Sequence, residues 1–87
     1  MYQVQLTPTC FEDLERLDKP IAQRVLKKIH RLADNIELFS PERLSGEFAN
    51  VYKLRVGDYR ILYTCNKVDR VIIIYFIRHR SEVYKIP

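Results

Sequence analysis

The sequence predicts a single α+β domain over residues 1–87, a small antiparallel sheet with an α-helix hairpin on one face and the order β-α-α-β-β-β. Three observations predict it: an alternating segment at the amino terminus, two amphipathic segments that begin at prolines, and three β-type segments joined by short turns. A chain of 87 residues holds about one domain with one core. Its 47% hydrophobic residues and two glycines are typical of a folded protein, not a disordered one.

The amino-terminal half begins with a strand and continues into two helices. Residues 2–6 alternate between apolar and glutamine side chains, which predicts a strand with one buried face. Thr7 is a suitable N-cap, because Pro8 follows it at the first helical position. The apolar residues of this first helix recur every three positions: Phe11, Leu14 and Leu17.

A second helix is predicted to begin after the break at residues 18–20. Its apolar side chains follow helical spacing along one stripe, which consists of Ile21, Val25, Ile29, Leu32 and Ile36. The opposite side is polar and basic, as on a solvated helix surface. Because the break is short, the two helices are expected to form an antiparallel hairpin.

The carboxy-terminal half contains the remaining strands. Residues 37–50 are rich in charges, Ser, Pro and Gly and are predicted to form an irregular loop. The segments VYKLRV and YRILYTC flank Gly57-Asp58, which predicts a hairpin with Gly57 at the first central position of a type II′ turn. After a turn at residues 66–69, residues 71–77 are apolar on both faces, as in a central strand.

Pairing outward from Gly57-Asp58 sorts the hairpin side chains onto two faces. The apolar face is predicted to contain Tyr52, Leu54, Val56, Tyr59, Ile61 and Tyr63. The other face contains Lys53, Arg55 and Arg60, with the two arginines directly opposite each other. Like charges in this position cost a few tenths of a kcal/mol. Two interpretations follow: either an anion binds between the arginines, or their long side chains separate into water.

Positive charge is concentrated in the same half of the chain. The protein carries a net charge of +4, and residues 51–87 hold eight basic and three acidic side chains. The terminal segment RHRSEVYKIP adds Arg78 and Tyr84, together with the predicted RNA-binding residues His79, Arg80 and Lys85. Arginine holds phosphate through two hydrogen bonds and tyrosine stacks on unpaired bases, so this mixture is typical of single-stranded RNA binding.

Other classes of protein and site fit the sequence poorly. The longest apolar run, residues 71–77, is far shorter than a membrane span, and the amino terminus does not resemble a signal peptide. Two cysteines without a CxxC or Cys/His cluster predict neither a disulfide scaffold nor a zinc site. A metal-dependent nuclease needs a pair of neighbouring acidic residues, and this pair is missing because Asp58 and Asp69 fall in turns at opposite ends of a strand. We therefore expect a cytoplasmic protein with no cofactor or metal and no membrane association, and any catalysis is expected to be metal-free.

The segments VYKLRVGDYRILY and FIRHRSEVY, with KKI in the second helix and LSGEF in the loop, resemble the RelE/ParE superfamily of bacterial and archaeal type II toxins. The resemblance spans the whole chain and is strongest to the RelE mRNA interferases. RelE-like members cleave mRNA in the ribosomal A site, whereas ParE-like members inhibit DNA gyrase. The resemblance therefore implies a toxin whose partners are an acidic antitoxin and a ribosome with mRNA in its A site.

The resemblance also implies the catalytic set, which consists of Lys53, Arg55, Arg60, Arg78 and Tyr84. Lys53 would act as general base or orient the 2′-hydroxyl, and Arg55 and Arg60 would bind the phosphate. Arg78 would lie near the leaving oxygen, and Tyr84 would stack on the nucleotide. RelE has lysine where this sequence has Arg55, which keeps the charge but does not readily release a proton.

Two alternative functions remain: a ParE-like gyrase inhibitor and a non-catalytic nucleic-acid-binding module. A ParE-like inhibitor needs no phosphate-cleaving set of residues on one face of the sheet, and a binding module would not need Arg55 opposite Arg60 at a cost to strand pairing. The clustered cations therefore favour an endoribonuclease that uses the 2′-hydroxyl as nucleophile.

Overall fold

Two helices cover one face of a five-stranded sheet. The structure, a computed structural model, describes residues 1–39, 42–43 and 50–83. The strands are β1 (Gln3–Leu6), β2 (Glu42–Arg43), β3 (Tyr52–Val56), β4 (Tyr59–Asn66) and β5 (Val71–His79). The helices are α1 (Pro8–Arg16) and α2 (Lys19–Asp34), and a short 3-10 helix follows at Ile36–Leu38. The spatial order is β1-β5-β4-β3-β2, so the predicted α+β class and the internal position of the apolar strand β5 are confirmed.

The sheet differs from the prediction at both edges. β1 runs parallel to β5, with Gln3 opposite Val71, so the sheet is antiparallel at every pair except this one. The helix hairpin is a crossover long enough to allow a parallel pairing, and the alternation of residues 2–6 contains no information on direction. At the other edge, β2 lies within the predicted loop and pairs with β3. A strand of two residues is too short to produce an alternating pattern.

Helix α1 begins as predicted, and only part of its three-residue apolar periodicity faces the core. The Thr7 hydroxyl accepts a hydrogen bond from the Cys10 backbone N–H at 3.1 Å, which confirms the cap. Cys10 and Asp13 are buried on this helix and Leu14 packs against the core, whereas Phe11 is 54% exposed. The reason is that α1 packs along β5, and this contact selects the buried side of so short a helix.

The core lies between α2 and the helix-facing side of the sheet. Val25, Ile29 and Leu32 are buried on α2, and Ile21 and Ile36 pack against them, so the predicted stripe is confirmed. The sheet contributes Leu54, Ile61, Tyr63, Ile72, Ile74 and Ile77. No helix in the described part of the chain is long and apolar enough to cross a membrane.

The β3–β4 hairpin has the predicted register and turn. Val56 pairs with Tyr59 and Arg55 with Arg60, and the pairing continues outward to Tyr52 and Tyr63. Gly57 has a φ of 56°, and Asp58 is not among the residues with positive φ. A type I′ turn needs positive φ at both central positions, so this turn is type II′.

Candidate functional site

Three arginines from three neighbouring strands form a row across the sheet. Arg55 of β3 lies opposite Arg60 of β4, which in turn lies opposite Arg78 of β5. Residues directly opposite one another project from the same face, and the alternating neighbours of these arginines, such as Ile61 and Ile77, belong to the core. The arginine row therefore lies on the face away from the helices. Lys53 projects from this face two residues before Arg55, and we call these four residues the basic cluster.

Arg60 occupies the middle of the arginine row and is held by the hairpin turn. Its Nη1 group donates to the carbonyl oxygens of Gly57 and Tyr59, each at 2.9 Å. Neutral carbonyl groups orient a guanidinium without neutralising it. Within residues 1–39, 42–43 and 50–83, no carboxylate lies within ion-pair distance of Arg60. The described hydrogen bonds of Arg60 are therefore all to neutral groups.

Glu42 is a carboxylate beside the basic cluster that the sequence did not reveal. Strand β2 places Glu42 opposite Lys53, and the two side chains form an ion pair with Nζ and Oε1 3.9 Å apart. Arg55 donates from Nε to Oε2 at 3.1 Å and from Nη2 to Oε1 at 2.6 Å, a two-pronged pairing. These hydrogen bonds from Arg55 are the main cause that holds the pKa of the Glu42 carboxyl below its usual value.

Glu42 bears on the two interpretations of the opposed arginines. An anion does lie beside Arg55, but it is a carboxylate of the chain itself. The like charges of Arg55 and Arg60 were the available signal, since they indicate that an anion is needed. That signal could not identify Glu42, because the edge strand that carries it has only two residues.

Arg78 ends the arginine row and is anchored by helix α1. Its Nη1 donates to Oδ2 of Asp13, which also accepts the Ile77 backbone N–H at 2.9 Å. Its guanidinium carbon lies 5.0 Å from the centroid of the Phe76 ring, a cation–π contact. Asp13 is only 5% exposed. Sequence reasoning missed it, because an aspartate in an amphipathic helix is usually a surface residue.

The predicted RNA-binding residue His79 lies apart from the basic cluster. It pairs with Tyr59, whose ring packs against the core on the helix-facing side. The two rings meet edge to face, with their centroids 5.5 Å apart. Since the Ser81 backbone N–H donates to Nδ1 of His79 at 3.2 Å, this nitrogen is an acceptor.

The other predicted residues follow strand β5 in the sequence. Arg80 is exposed, and its backbone N–H donates to the carbonyl oxygen of Asp58 at 2.7 Å. Tyr84 and Lys85 lie outside the described residues. Of the five predicted catalytic residues, the structure thus brings together Lys53 and the arginine row.

Comparison with known proteins identifies the family. Residues 4–84 match the family described as the ParE toxin of the type II toxin–antitoxin system parDE. The chain belongs to the RelE/ParE superfamily of type II toxins. Among curated RelE/ParE relatives, the putative toxin RelE1 of Methanocaldococcus jannaschii is 32% identical over 89 residues, which cover 99% of this chain and 98% of the relative.

Solved structures of RelE/ParE toxins have the same fold. The toxin–antitoxin complex RelBE2 from Mycobacterium tuberculosis contains a chain that matches with a TM-score of 0.80 and 29% identity, covering 91% of this chain and 98% of that one. The isolated RelE toxin of Escherichia coli matches with a TM-score of 0.76 and 17% identity, covering 98% and 93%. The resemblance noted from the sequence motifs is confirmed at the level of the superfamily.

Proposed function

We propose that this RelE/ParE toxin is an endoribonuclease that cleaves mRNA in the ribosomal A site, with no metal in the chemical step. The observation that carries the proposal is the arginine row with Lys53 beside it, on one face of the sheet and in register across three strands. Cations fixed in advance around a phosphodiester stabilise the negative charge that develops during cleavage.

The proposed reaction uses the RNA's own 2′-hydroxyl as nucleophile. The 2′-oxygen forms a bond to the adjacent phosphorus, and the bond from phosphorus to the 5′-oxygen breaks. The 2′-hydroxyl gives its proton to a base, and the leaving 5′-oxygen takes up a proton. The products are a 2′,3′-cyclic phosphate and a 5′-hydroxyl. Arg55 and Arg60 would bind the phosphoryl oxygens, and Arg78 would stabilise the leaving oxygen.

Glu42 and Lys53 are proposed to act on the nucleophile in two different ways, one as the base and one by orienting the 2′-hydroxyl. Nζ of Lys53 lies 3.9 Å from Oε1 of Glu42, so its N–H groups are placed to orient a hydroxyl group that approaches this carboxylate. The Glu42 carboxylate is ionised and lies within the basic cluster, so it is the proton acceptor that the geometry favours. We therefore propose the orienting role for Lys53 and the base role for Glu42.

The ribosome is the expected source of positioning. A carboxylate whose pKa is lowered by arginine is a weak base, and arginine is a very weak acid. Alignment of the 2′-hydroxyl with the phosphorus must then supply much of the rate, and the ribosomal A site is a place where mRNA is held in a fixed conformation. Tyr84 is proposed to stack on the nucleotide, and His79, Arg80 and Lys85 to contact RNA.

An acidic antitoxin is the proposed protein partner. Relatives of this chain have been solved as complexes with antitoxins, from M. tuberculosis and from Pyrococcus horikoshii. The two-pronged pairing of Arg55 with Glu42 illustrates how a carboxylate engages this surface. An acidic segment is expected to occupy the basic cluster and to inhibit the toxin. A copurified partner that leaves Arg60 and Arg78 open and the toxin fully active would contradict this expectation.

A gyrase inhibitor is the second candidate, because the family description that matches the chain is that of ParE. Two assays with the same purified toxin separate the candidates. The first maps cleavage of mRNA on ribosomes with a defined A-site codon, next to naked mRNA. The second measures supercoiling by DNA gyrase. We expect cleavage on ribosomes, little cleavage of naked mRNA and normal supercoiling, whereas intact mRNA with inhibited supercoiling would establish the alternative.

A further inference from the structure

Asp13 is a buried carboxylate on α1 whose hydrogen bonds both come from β5. Its Oδ2 atom accepts the Ile77 backbone N–H and the Nη1 group of Arg78. A buried carboxylate is costly unless it is paired and hydrogen-bonded. A buried ion pair is often no more stabilising than well-packed apolar residues of similar volume, so stability alone does not account for the pair of Asp13 with Arg78.

The three arginines of the row differ in how firmly they are held. The anchor of Arg55 is Glu42, whose side chain is 41% exposed, and Arg60 is held by neutral carbonyl groups. The anchor of Arg78 is 5% exposed and also accepts a backbone N–H of the same strand, so the carboxylate itself is fixed. Arg78 is therefore the member of the arginine row whose anchor is most deeply buried and itself fixed by the backbone.

The same contact leaves part of the Arg78 guanidinium accessible. Its side chain is 25% exposed, and only Nη1 among its nitrogens donates to Asp13. The guanidinium has its donors in a rigid planar fork, and the hydrogen bond from Nη1 together with the contact against the Phe76 ring restricts the direction of the other donors. The side-chain entropy that substrate binding would otherwise remove is already lost in the folded toxin.

We propose that Asp13 is a positioning residue for the cleavage reaction: it aims the guanidinium of Arg78 at the oxygen that leaves the phosphorus. The inference rests on the function proposed above and adds a residue that acts through Arg78 from the opposite side of the sheet edge. Asp13 does not touch the RNA. The Asp13 carboxylate lowers the net positive charge near Arg78, which weakens attraction to the leaving oxygen. In return, the guanidinium donor of Arg78 is already oriented when negative charge develops on that oxygen.

The test compares variants in single-turnover cleavage of ribosome-bound mRNA at increasing toxin concentration. Asp13→Asn keeps the size and an acceptor for the Ile77 N–H but removes the charge that holds Arg78. Arg78→Ala and the double variant complete a double-mutant cycle. The matched control is Ile29→Val, which is buried on α2 and destabilises the fold without contact to the arginine row. Circular dichroism selects a temperature at which every variant is folded.

We expect Asp13→Asn to lower the rate at saturating toxin about 100-fold, while the half-saturating concentration changes by less than about threefold, because orientation and not binding is lost. In the Arg78→Ala background the same substitution should have no further effect. Should Asp13→Asn not fold, Asp13→Glu is expected to lower the rate at saturating toxin with the same small change in the half-saturating concentration. Its carboxylate is retained but displaced by one methylene.

The inference is overturned if Asp13→Asn, or Asp13→Glu in its place, slows cleavage no more than Ile29→Val does. It is also overturned if the Asp13 effect persists in full without Arg78. Both of these results leave the proposed function intact, provided that the unmodified toxin cleaves in the same assay. A toxin that does not cleave ribosome-bound mRNA overturns the proposed function, and this inference with it.

Discussion

Arg60 is the residue on which the proposed chemistry depends most, because it lies in the middle of the arginine row and its described hydrogen bonds are to neutral carbonyl groups. Arg60→Ala should abolish detectable cleavage. Of the two hydrogen bonds it loses, one is exposed and one part-buried, and both are to nearby carbonyl groups, so the free energy of unfolding should change by less than about 0.5 kcal/mol. Cleavage assays and urea denaturation measure the two effects. Arg31→Ala removes the same charge from the exposed side of α2 and should leave cleavage unchanged. A large loss of stability in Arg60→Ala would mean that this residue is structural.

Glu42→Gln separates the base role of this carboxylate from simple neutralisation of the basic cluster. The amide cannot take a proton, so the rate at saturating toxin should fall about 100-fold or more. RNA binding should strengthen, since one negative charge leaves the cluster, and the salt dependence of binding should become steeper. Fluorescence anisotropy with a 2′-deoxy oligonucleotide measures the binding. Faster cleavage in Glu42→Gln would instead show that Glu42 merely competes with the phosphate.

At the scale of elements, the β3–β4 turn couples the fold to the site. Gly57 has a φ of 56°, and a Cβ atom there would lie 3.3 Å from Nη2 of Arg24. Gly57→Ala should therefore lower the free energy of unfolding by about 1–3 kcal/mol. Because the Gly57 carbonyl also holds Arg60, cleavage should slow even where the variant is folded. Asp58→Ala, at the neighbouring position with negative φ, is the control in both measurements. Equal stability of the two variants would contradict the turn assignment.

The elements also differ in how far the sequence predicts them. The register of the β3–β4 hairpin follows from a two-residue turn and side-chain alternation, so the opposition of Arg55 and Arg60 could be predicted. The pairing of β2 with β3 brings Glu42 into the basic cluster through a strand of two residues. The burial of Asp13 depends on how α1 docks along β5, which is a tertiary contact. The residues that the sequence did not predict are therefore Glu42 and Asp13, which contact the arginine row from neighbouring elements.

At the scale of the whole molecule, the core predicts how stability depends on alkaline pH. Burial, with a smaller contribution from the charge of Asp13, raises the pKa of the Cys10 thiol from 9.0 to about 11. Burial raises the pKa of Tyr63 from 10.0 to about 12. Above pH 9 the unfolded chain loses these protons first, so it binds fewer protons than the folded protein and stability falls as pH rises.

The loss from Cys10 should occur between pH 9 and 11 and reach at most about 3 kcal/mol, and the loss from Tyr63 should follow one pH unit higher. Urea denaturation at pH 8, 10 and 11 measures the decline. The Cys10→Ala variant should lack the part of this decline that Cys10 causes between pH 9 and 11, and it is the matched comparison. A free energy of unfolding that stays constant or rises between pH 9 and 11 would contradict the buried position of the thiol.

The central claim is that the basic cluster promotes attack by the RNA's own 2′-hydroxyl. Removing that one oxygen atom from the substrate tests the claim directly. Ribosomes are programmed with mRNA that carries either ribose or 2′-deoxyribose at the nucleotide to be cut, and fragment ends are identified after single-turnover reaction with the toxin. The account predicts a 2′,3′-cyclic phosphate and a 5′-hydroxyl from the ribose substrate, and no cleavage of the deoxy substrate. Cleavage of the deoxy substrate, or 5′-phosphate ends, would contradict it.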